Sequence, residues 1–286
     1  MASDCRFAVL IDADNVSVKY IKIILDEISK DGIATYKRIY GDWTNPSLIS
    51  WKSALLDNSI IPIQQYSYTT GKNSTDSAMI IDAMDILYSG QVEGFCLVSS
   101  DSDFTRLASR LRESGMTVIG MGESKTPNSF IAACNKFKYL DILSAADEEE
   151  PEEAQKPEAV KKAPQKKTPA RKTASQKKAK EEPKPEKEQK PAPAPQKQQK
   201  DIEEPRTSLR TIRRALRTIV RENSDEDNWI IIGKVGNLLG KRYPDFDVRN
   251  FGFSKLTPFL DSLDMFEIKS ERKDNNSSPQ MYVRLK

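Results

Sequence analysis

Short apolar runs alternate with helically spaced apolar residues through the first half of the chain. Five segments have the pattern of strands: Phe7–Ile11, Ile33–Tyr40, Ile60–Gln65, Phe95–Val98 and Met116–Met121. Four segments between them have the pattern of helices: Ile21–Ile28, Ser47–Leu56, Asp76–Leu87 and Phe104–Leu111. This order, β-α-β-α-β-α-β-α-β, predicts a three-layer α/β domain with a parallel sheet that ends near residue 142.

The third helical segment begins at Asp76, directly after the polar loop Thr69–Thr75. Its apolar positions at helical spacing are Ile80, Ile81, Met84 and Leu87.

Residues 206–286 have the pattern of a smaller domain. Three helical segments are followed by two alternating strands, Met265–Lys269 and Gln280–Leu285. Three helices closed by a hairpin predict a winged helix-turn-helix domain. On the first helix, five arginines fall within a narrow arc away from the apolar face: Arg206, Arg210, Arg213, Arg217 and Arg221.

Residues 147–205 differ in composition from both ends of the chain. They hold ten of the sixteen prolines, together with Lys, Glu, Gln and Ala. A segment with so few apolar residues cannot bury a core, so we predict a disordered linker between domains 1–146 and 206–286. We expect the two domains not to be docked rigidly. Residues 161–180 carry nine Lys or Arg and no acid, which suits a solvated tether or a nucleic-acid-binding tail.

Composition narrows the chemistry. The chain has no histidine, which excludes His-based triads, His general bases and His zinc ligands. Its three cysteines show no metal-like or disulfide-like spacing. With no signal-peptide pattern and no apolar run of ~20 residues, we expect a soluble cytoplasmic protein without membrane association. Residues 1–146 carry 14 basic and 17 acidic residues, and residues 206–286 carry 16 and 11, so the second domain is the basic one.

Acidic side chains follow two of the buried strands. Asp12, Asp14 and Asn15 come directly after the first, and Asp101 and Asp103 follow the fourth. The carboxyl ends of parallel strands lie at one edge of a sheet, where ligands bind. We therefore expect these acids to share one pocket.

Asp12, Asp76 and Asp101 are the three acids expected to meet, because each lies at a strand end or a helix start. Carboxylates held ~4 Å apart repel by ~4 kcal/mol at the effective dielectric of a protein surface, so a cation must offset them. Mg²⁺ or Mn²⁺ is the predicted cofactor. Asp103 is a fourth candidate ligand, although Asp14 and Asp103 are equally compatible with helix capping.

Supporting roles at this pocket are expected for Asn15, Asp82 and Ser100. Lys72, in the polar loop, could hold a phosphate or be merely solvated. In the second domain the candidate RNA-binding residues are Arg210, Arg213, Arg217 and Lys255, and the alternative is a solvated helix surface on a domain that binds a protein partner.

Four spaced motifs resemble the NYN domain, a branch of the PIN-like nucleases. They are Leu-Ile-Asp-Ala-Asp-Asn (10–15), Gly-Lys-Asn-Ser-Thr-Asp-Ser-Ala-Met-Ile-Ile-Asp-Ala-Met-Asp (71–85), Val-Ser-Ser-Asp-Ser-Asp-Phe (98–104) and Thr-Pro-Asn-Ser-Phe (126–130). The resemblance implies metal-dependent ribonuclease chemistry, with metal-ligand or catalytic roles for Asp12, Asp76 and Asp101. It implies that Asn15 places water or substrate.

The segment Tyr-Pro-Asp-Phe-Asp-Val-Arg-Asn-Phe-Gly-Phe-Ser-Lys-Leu (243–256) is similar to the OST-HTH domain, also called LOTUS. That resemblance implies a winged-helix module that contacts RNA or proteins.

The sequence thus favours a Mg²⁺- or Mn²⁺-dependent ribonuclease with RNA as its partner. Two alternatives stay open. One is an RNA-binding adaptor with a catalytically silent nuclease fold. The other is a haloacid-dehalogenase-like phosphatase with Asp12 as nucleophile and Asp14 as general acid, although Val16 stands where that family usually has Thr.

Overall fold

A computed structural model describes residues 5–66, 74–148, 207–272 and 279–286. The predicted linker 147–205 lies almost entirely outside the described residues. The first part of the chain contains, in order, β1 (Arg6–Asp12), α1 (Ile21–Ser29), β2 (Ile33–Gly41), α2 (Trp51–Asp57), β3 (Ile61–Gln64), α3 (Ser74–Ser89), β4 (Gly94–Val98), α4 (Thr105–Glu113), β5 (Thr117–Gly122), α5 (Asn128–Ala133), β6 (Lys136–Tyr139) and α6 (Leu140–Glu148).

These strands form a six-stranded parallel sheet in the order β3-β2-β1-β4-β5-β6. The predicted parallel α/β fold is confirmed. Its sixth strand, β6, and the helices α5 and α6 were not among the predicted elements. The strand order reverses between β1 and β4, which places a crevice beyond their carboxyl ends.

Helices cover both faces of the sheet. On one face, Val9 and Ile11 of β1 pack in a core with Ile24 of α1 and Leu143 of α6. On the other, Leu10 packs in a core that includes residues of α3, α4 and α5. Alternate residues of β1 therefore enter different cores, as the two-residue period of a strand requires.

On α3, three of the four apolar positions named from the sequence, Ile80, Met84 and Leu87, are half-buried and pack against the core around Leu10. Met79, Ala83 and Ile86 are the apolar residues that are buried, whereas Ile81 is 63% exposed. Apolar residues occupy most of the circumference of this helix, so their spacing alone does not define a face.

The second part of the chain contains α7 (Leu209–Asn223), β7 (Ile230–Ile231), α8 (Ile232–Arg242), α9 (Leu256–Ser262), β8 (Phe266–Glu271) and β9 (Gln280–Leu285). Its strands form an antiparallel sheet in the order β7-β9-β8. The helices enclose a separate core with Leu216, Leu239 and Phe259 at its centre, and Val283 of the sheet closes it. The predicted three helices and hairpin are present.

Hydrogen bonds and ion pairs join the two folded parts, which cluster as one compact unit. The sequence led us to expect two domains that are not docked rigidly, whereas in the structure they are in direct contact. Across the described residues, no helix is both long and apolar enough to cross a membrane.

Candidate metal centre and RNA-binding surface

The sheet topology brings the acidic segments to one edge. β1 and β4 are neighbours, with Leu10 opposite Leu97, so the turns that follow both strands lie side by side. α3 follows β3 and begins at Ser74. A helix after a parallel strand starts at the carboxyl edge of the sheet, and Asp76 in its first turn is thereby placed beside the two strand ends.

Asp76, Asp101 and Asp103 form a cluster whose carboxylate oxygens lie within 4.8 Å of one another. Asp76 is buried, Asp101 is half-buried and Asp103 is exposed, so the cluster opens to solvent on one side. In the described part of the chain, neither Asp76 nor Asp101 forms an ion pair with a basic side chain. The cluster thus combines accessible oxygen ligands with two carboxylates, Asp76 and Asp101, that no basic side chain of the described residues pairs with.

The pKa of Asp76 is shifted by this environment. Burial and then the negative charges of Asp12, Asp101, Asp103 and Asp14 raise the pKa of Asp76 to about 6. Each of these causes disfavours the ionised form. A cation held among these carboxylates would reverse the electrostatic part of that shift.

Asp12 lies next to this cluster but is used differently. Its side chain is 0% exposed. Oδ2 accepts hydrogen bonds from Ser99 Oγ at 2.8 Å and Asn15 Nδ2 at 2.7 Å, and Oδ1 accepts from the Asp14 backbone at 3.0 Å. Burial raises the pKa of Asp12, although these hydrogen bonds oppose the shift. The carboxylate is fixed in one orientation beside the cluster.

Ser99 connects the two acidic turns. Its hydroxyl donates to Asp12 and accepts from the Asp101 backbone N–H at 3.1 Å. Ser99 was not among the predicted site residues, although its position beside Asp12 follows once β1 is paired with β4. Leu10 and Leu97 are opposite one another, so two residues later on the same face Asp12 comes beside Ser99.

The segment around Asp101 is shaped by its own side chain. Asp101 Oδ1 accepts a hydrogen bond from the Asp103 backbone N–H at 2.9 Å, which caps the short 3₁₀ helix Ser102–Phe104. This bond uses one carboxylate oxygen and turns Asp103 toward the same crevice. Asp101 therefore performs a capping role and a clustering role together.

Two predicted supporting residues have other partners. Ser100 Oγ accepts from the Glu123 backbone at 2.9 Å and so ties the β4 turn to the end of β5. Asp82 accepts from Arg38 and Tyr40 of β2, and it is not a member of the carboxylate cluster. Asp14 and Asn15 are exposed at the rim. Lys72 lies outside the described residues.

The predicted arginine face is present on α7. Five arginines form an exposed strip along α7, next to Leu209 and Thr218: Arg210, Arg213, Arg214, Arg217 and Arg221. None of the five forms an ion pair with any carboxylate of the described residues. Arg206 lies outside these residues, and Lys255 is exposed just before α9. Within the described part of the chain, this arginine strip therefore carries positive charge that no carboxylate pairs with.

The chemistry of the donor set tests whether a divalent metal fits the acidic cluster. Mg²⁺ and Mn²⁺ take oxygen ligands and commonly use one or two carboxylates together with water and substrate phosphate. The cluster supplies three carboxylates in reach of one another and an open side. These residues fit such an ion.

The solved structures that resemble parts of this chain include two proteins without an assigned role. One, a protein of unknown function from Vibrio parahaemolyticus, is 18% identical, with 49% of this chain and 96% of that one covered and a TM-score of 0.42. The other, an uncharacterized protein from Nitrosomonas europaea, is 26% identical, with 37% and 91% covered and a TM-score of 0.24. Among curated proteins, none matches the chain.

Comparison with protein families is more informative. Residues 6–141 match the NYN domain, and residues 206–278 match the OST-HTH/LOTUS domain. Both resemblances inferred from the sequence are confirmed, in the predicted order. The pair supports a ribonuclease or RNA-binding role, and NYN and other PIN-like nucleases generally use divalent metals. The chain thus contains an NYN domain at residues 6–141, followed by an OST-HTH/LOTUS domain at residues 206–278.

Proposed function

We propose that this protein is a metal-dependent ribonuclease that hydrolyses phosphodiester bonds and binds RNA through its C-terminal domain. The observation that carries the proposal is the cluster of Asp76, Asp101 and Asp103, with carboxylate oxygens within 4.8 Å of one another. It lies at the carboxyl edge of a parallel sheet, where α/β proteins bind their ligands.

In this proposal Asp76, Asp101 and Asp103 hold Mg²⁺ or Mn²⁺, and Asp12 adds a fixed negative charge next to them. A bound cation supplies Lewis acidity that stabilises developing charge on the scissile phosphate. The protein supplies the orientation. Ser99 bonds both to Asp12 and to the backbone of Asp101, so the turns after β1 and β4 hold their carboxylates in register. Asn15 donates to the same Asp12 oxygen as Ser99, and the Asp14 backbone N–H donates to the other oxygen.

RNA binding is assigned to the arginine strip of α7. Phosphate contacts from Lys and Arg release counterions, so their contribution to affinity falls steeply as salt rises. Arg210, Arg213 and Arg217 face solvent, and Lys255 adds a further exposed charge on the same domain. The alternative role for this domain, recruitment of a protein partner, predicts little RNA affinity even at low salt.

The geometry weighs against the phosphatase alternative. A nucleophilic carboxylate needs an accessible oxygen, whereas Asp12 is 0% exposed and accepts three hydrogen bonds. The adaptor alternative predicts the same RNA binding without turnover.

The three free cysteines are in keeping with a reducing cytoplasmic location.

One assay separates these functions. The purified full chain is incubated with single-stranded RNA, duplex RNA and a small phosphomonoester, each with Mn²⁺ or with EDTA. The ribonuclease proposal predicts RNA fragments with Mn²⁺ and none with EDTA, and no release of phosphate from the monoester. RNA binding without fragments would support the adaptor, and phosphate release alone would support the phosphatase.

A further inference from the structure

The segment that most resembles the OST-HTH family lies against the NYN domain. The docking segment, residues 244–249, follows α8 and extends into the short 3₁₀ helix Val248–Phe251. Its partner is the docking surface, formed by Glu27 at the end of α1 and by Phe137, Lys138 and Tyr139 of β6. We propose that this segment is a built-in docking element that fixes the OST-HTH domain on the NYN domain of the same chain. This inference is independent of the proposed catalytic function.

The first contact involves the sheet edge. β6 is the outermost strand and pairs only with β5 within the sheet. On its free side the Phe137 N–H donates to the Pro244 carbonyl at 2.8 Å. An open edge strand exposes unpaired backbone groups that invite association with other chains. The docking segment satisfies one of these groups from within the same protein.

The second contact is a buried carboxylate. Asp245 is 5% exposed. Its oxygens accept from the Thr207 hydroxyl at 2.7 and 2.8 Å, and Oδ2 also accepts from the Tyr139 hydroxyl at 3.3 Å. Thr207 belongs to the C-terminal part and Tyr139 to β6. A buried acid costs free energy unless it is hydrogen-bonded, and the NYN domain supplies part of that compensation.

The third contact is a bidentate ion pair. Arg249 Nη1 and Nη2 donate to Glu27 Oε1 and Oε2 at 2.6 and 3.0 Å. Glu27 is 3% exposed and also accepts from Lys138 at 3.0 Å and Lys30 at 2.5 Å. The planar guanidinium fits two carboxylate oxygens at once, which fixes orientation as well as distance. Three chemically different contacts thus agree on one placement.

The docking segment is also shaped in advance by its own domain. Asp247 accepts from the Arg249 backbone at 2.9 Å and from its guanidinium at 2.6 Å, so it aims this side chain. Asn250 Nδ2 donates to the Asp245 carbonyl at 2.8 Å. Preorganisation lowers the entropic cost of binding. A surface loop that only happened to touch a neighbouring domain would not require this internal bracing.

Docking through residues 244–249 gives two faces of the OST-HTH domain different roles: one contacts the NYN domain, and the other stays available to RNA. Asp245 is buried and the other residues of the docking segment are half-buried, whereas the arginines of α7 are exposed. In this proposal the docking segment binds the NYN domain of the same chain rather than another protein. The nuclease and reader would then move as one body, and the linker would connect parts that are already in contact.

Pulsed electron–electron double resonance on the full chain tests this placement. Spin labels are attached at two exposed positions through Asp57→Cys and Glu222→Cys, with Cys5→Ser to remove the half-buried thiol. Cis docking predicts one narrow distance that persists when labelled protein is diluted into unlabelled protein. A broad distribution would overturn the proposal. Loss of the narrow distance on dilution would also overturn it, because the contact would then join two copies.

Charge reversals on the two sides locate the contact. Arg249→Glu places a negative charge against Glu27 and should broaden the distance distribution, and Glu27→Lys should do the same while leaving the OST-HTH sequence intact. The matched control is Arg217→Glu on the exposed face of α7, which should keep the narrow distance. Circular dichroism checks that each variant is folded. If both reversals in folded protein left the distance unchanged, residues 244–249 would not be the docking element.

Discussion

Two buried carboxylates in this chain, Asp76 and Glu27, have similar exposure and opposite surroundings. Asp76 is 8% exposed and Glu27 is 3% exposed. Burial and neighbouring acids raise the pKa of Asp76 to about 6. Burial also acts to raise the pKa of Glu27, but hydrogen bonds from Arg249, Lys30 and Lys138 outweigh it and hold that pKa well below its usual range.

The difference separates a structural acid from a candidate ligand. Glu27 already has its counter-charges within the protein, so it stabilises the contact between domains. Asp76 is surrounded by Asp12, Asp101 and Asp103 and gains a counter-charge only from outside the described residues. Burial alone does not distinguish these roles. The sign of the charges around a buried acid does, and four substitutions test that distinction.

The largest expected effect is on catalysis. Asp101→Asn removes one charge from the cluster and keeps the shape and capping oxygen of the side chain. We expect RNA cleavage to fall by at least ~100-fold because the cation is lost, with RNA affinity unchanged within about twofold. Initial cleavage rates and RNA binding by fluorescence anisotropy measure the two quantities. Asp57→Asn, an exposed acid on α2, is the control. A wild-type rate for Asp101→Asn would show that the cluster is not the metal centre.

Glu27→Gln should destabilise the protein. The amide leaves Arg249 and Lys138 with less than their full counter-charge in a buried place, at a cost of about 2 kcal/mol, or roughly 5 °C in Tm. Thermal unfolding by circular dichroism measures it. Glu113→Gln, at an exposed site on α4, should change Tm by less than about 1 °C. Equal Tm values for the two variants would remove the structural role assigned to Glu27.

Ser99→Ala should lower the cleavage rate by about tenfold through lost orientation of Asp12 and Asp101. Because Ser99 contacts no substrate in this account, kcat should carry the loss and KM should change little. The neighbouring variant Ser100→Ala is the matched control, since that hydroxyl bonds to the backbone of Glu123 rather than to an acid. A larger loss for Ser100→Ala than for Ser99→Ala would reverse the assignment.

Asp76→Asn should stabilise the metal-free protein, opposite in sign to the substitution at Glu27. The folded-state pKa of Asp76 is raised, to about 6, so the wild type loses stability as pH rises through that value and regains it on acidification. After discounting for solvent screening, we expect a gain of about 1 kcal/mol at pH 7.5 in EDTA. The gain should shrink steadily toward pH 4.

Melting curves of Asp76→Asn and wild type at pH 4, 6 and 7.5 measure this dependence. Asp57→Asn should show no such trend. A gain that is the same at all three pH values would mean that the repulsion around Asp76 is not the cause.

Much of the sheet could be predicted because buried strands leave continuous apolar runs. β6 is the exception, since only Phe137 and Tyr139 among its four residues face inward and Lys136 and Lys138 interrupt the run. A four-residue alternation is too short to separate from a loop. Which apolar residues of α3 are fully buried could not be predicted for the opposite reason, because apolar residues occupy most of the circumference of that helix.

The candidate site could be predicted from the sequence more fully than the contact between the two domains. Parallel strands with a reversed order bring strand-end acids together, so Asp101 and Asp103 could be placed in one crevice from pattern alone. The partner of Glu27 could not be found in this way. Arg249 lies 222 residues further along the chain, and neither residue belongs to a local pattern that requires the other. Long-range charge pairing depends on how the domains meet, which periodicity does not encode.

Direct titration with Mn²⁺ tests the central claim without requiring knowledge of the RNA substrate. Free Mn²⁺ is followed by its electron paramagnetic resonance signal as it is added to wild type, Asp101→Asn and Asp57→Asn. The account predicts a saturable site in wild type and Asp57→Asn, with affinity lowered at least ~100-fold in Asp101→Asn. Equal binding by wild type and Asp101→Asn, or no saturable binding by wild type, would contradict a metal centre at Asp76, Asp101 and Asp103.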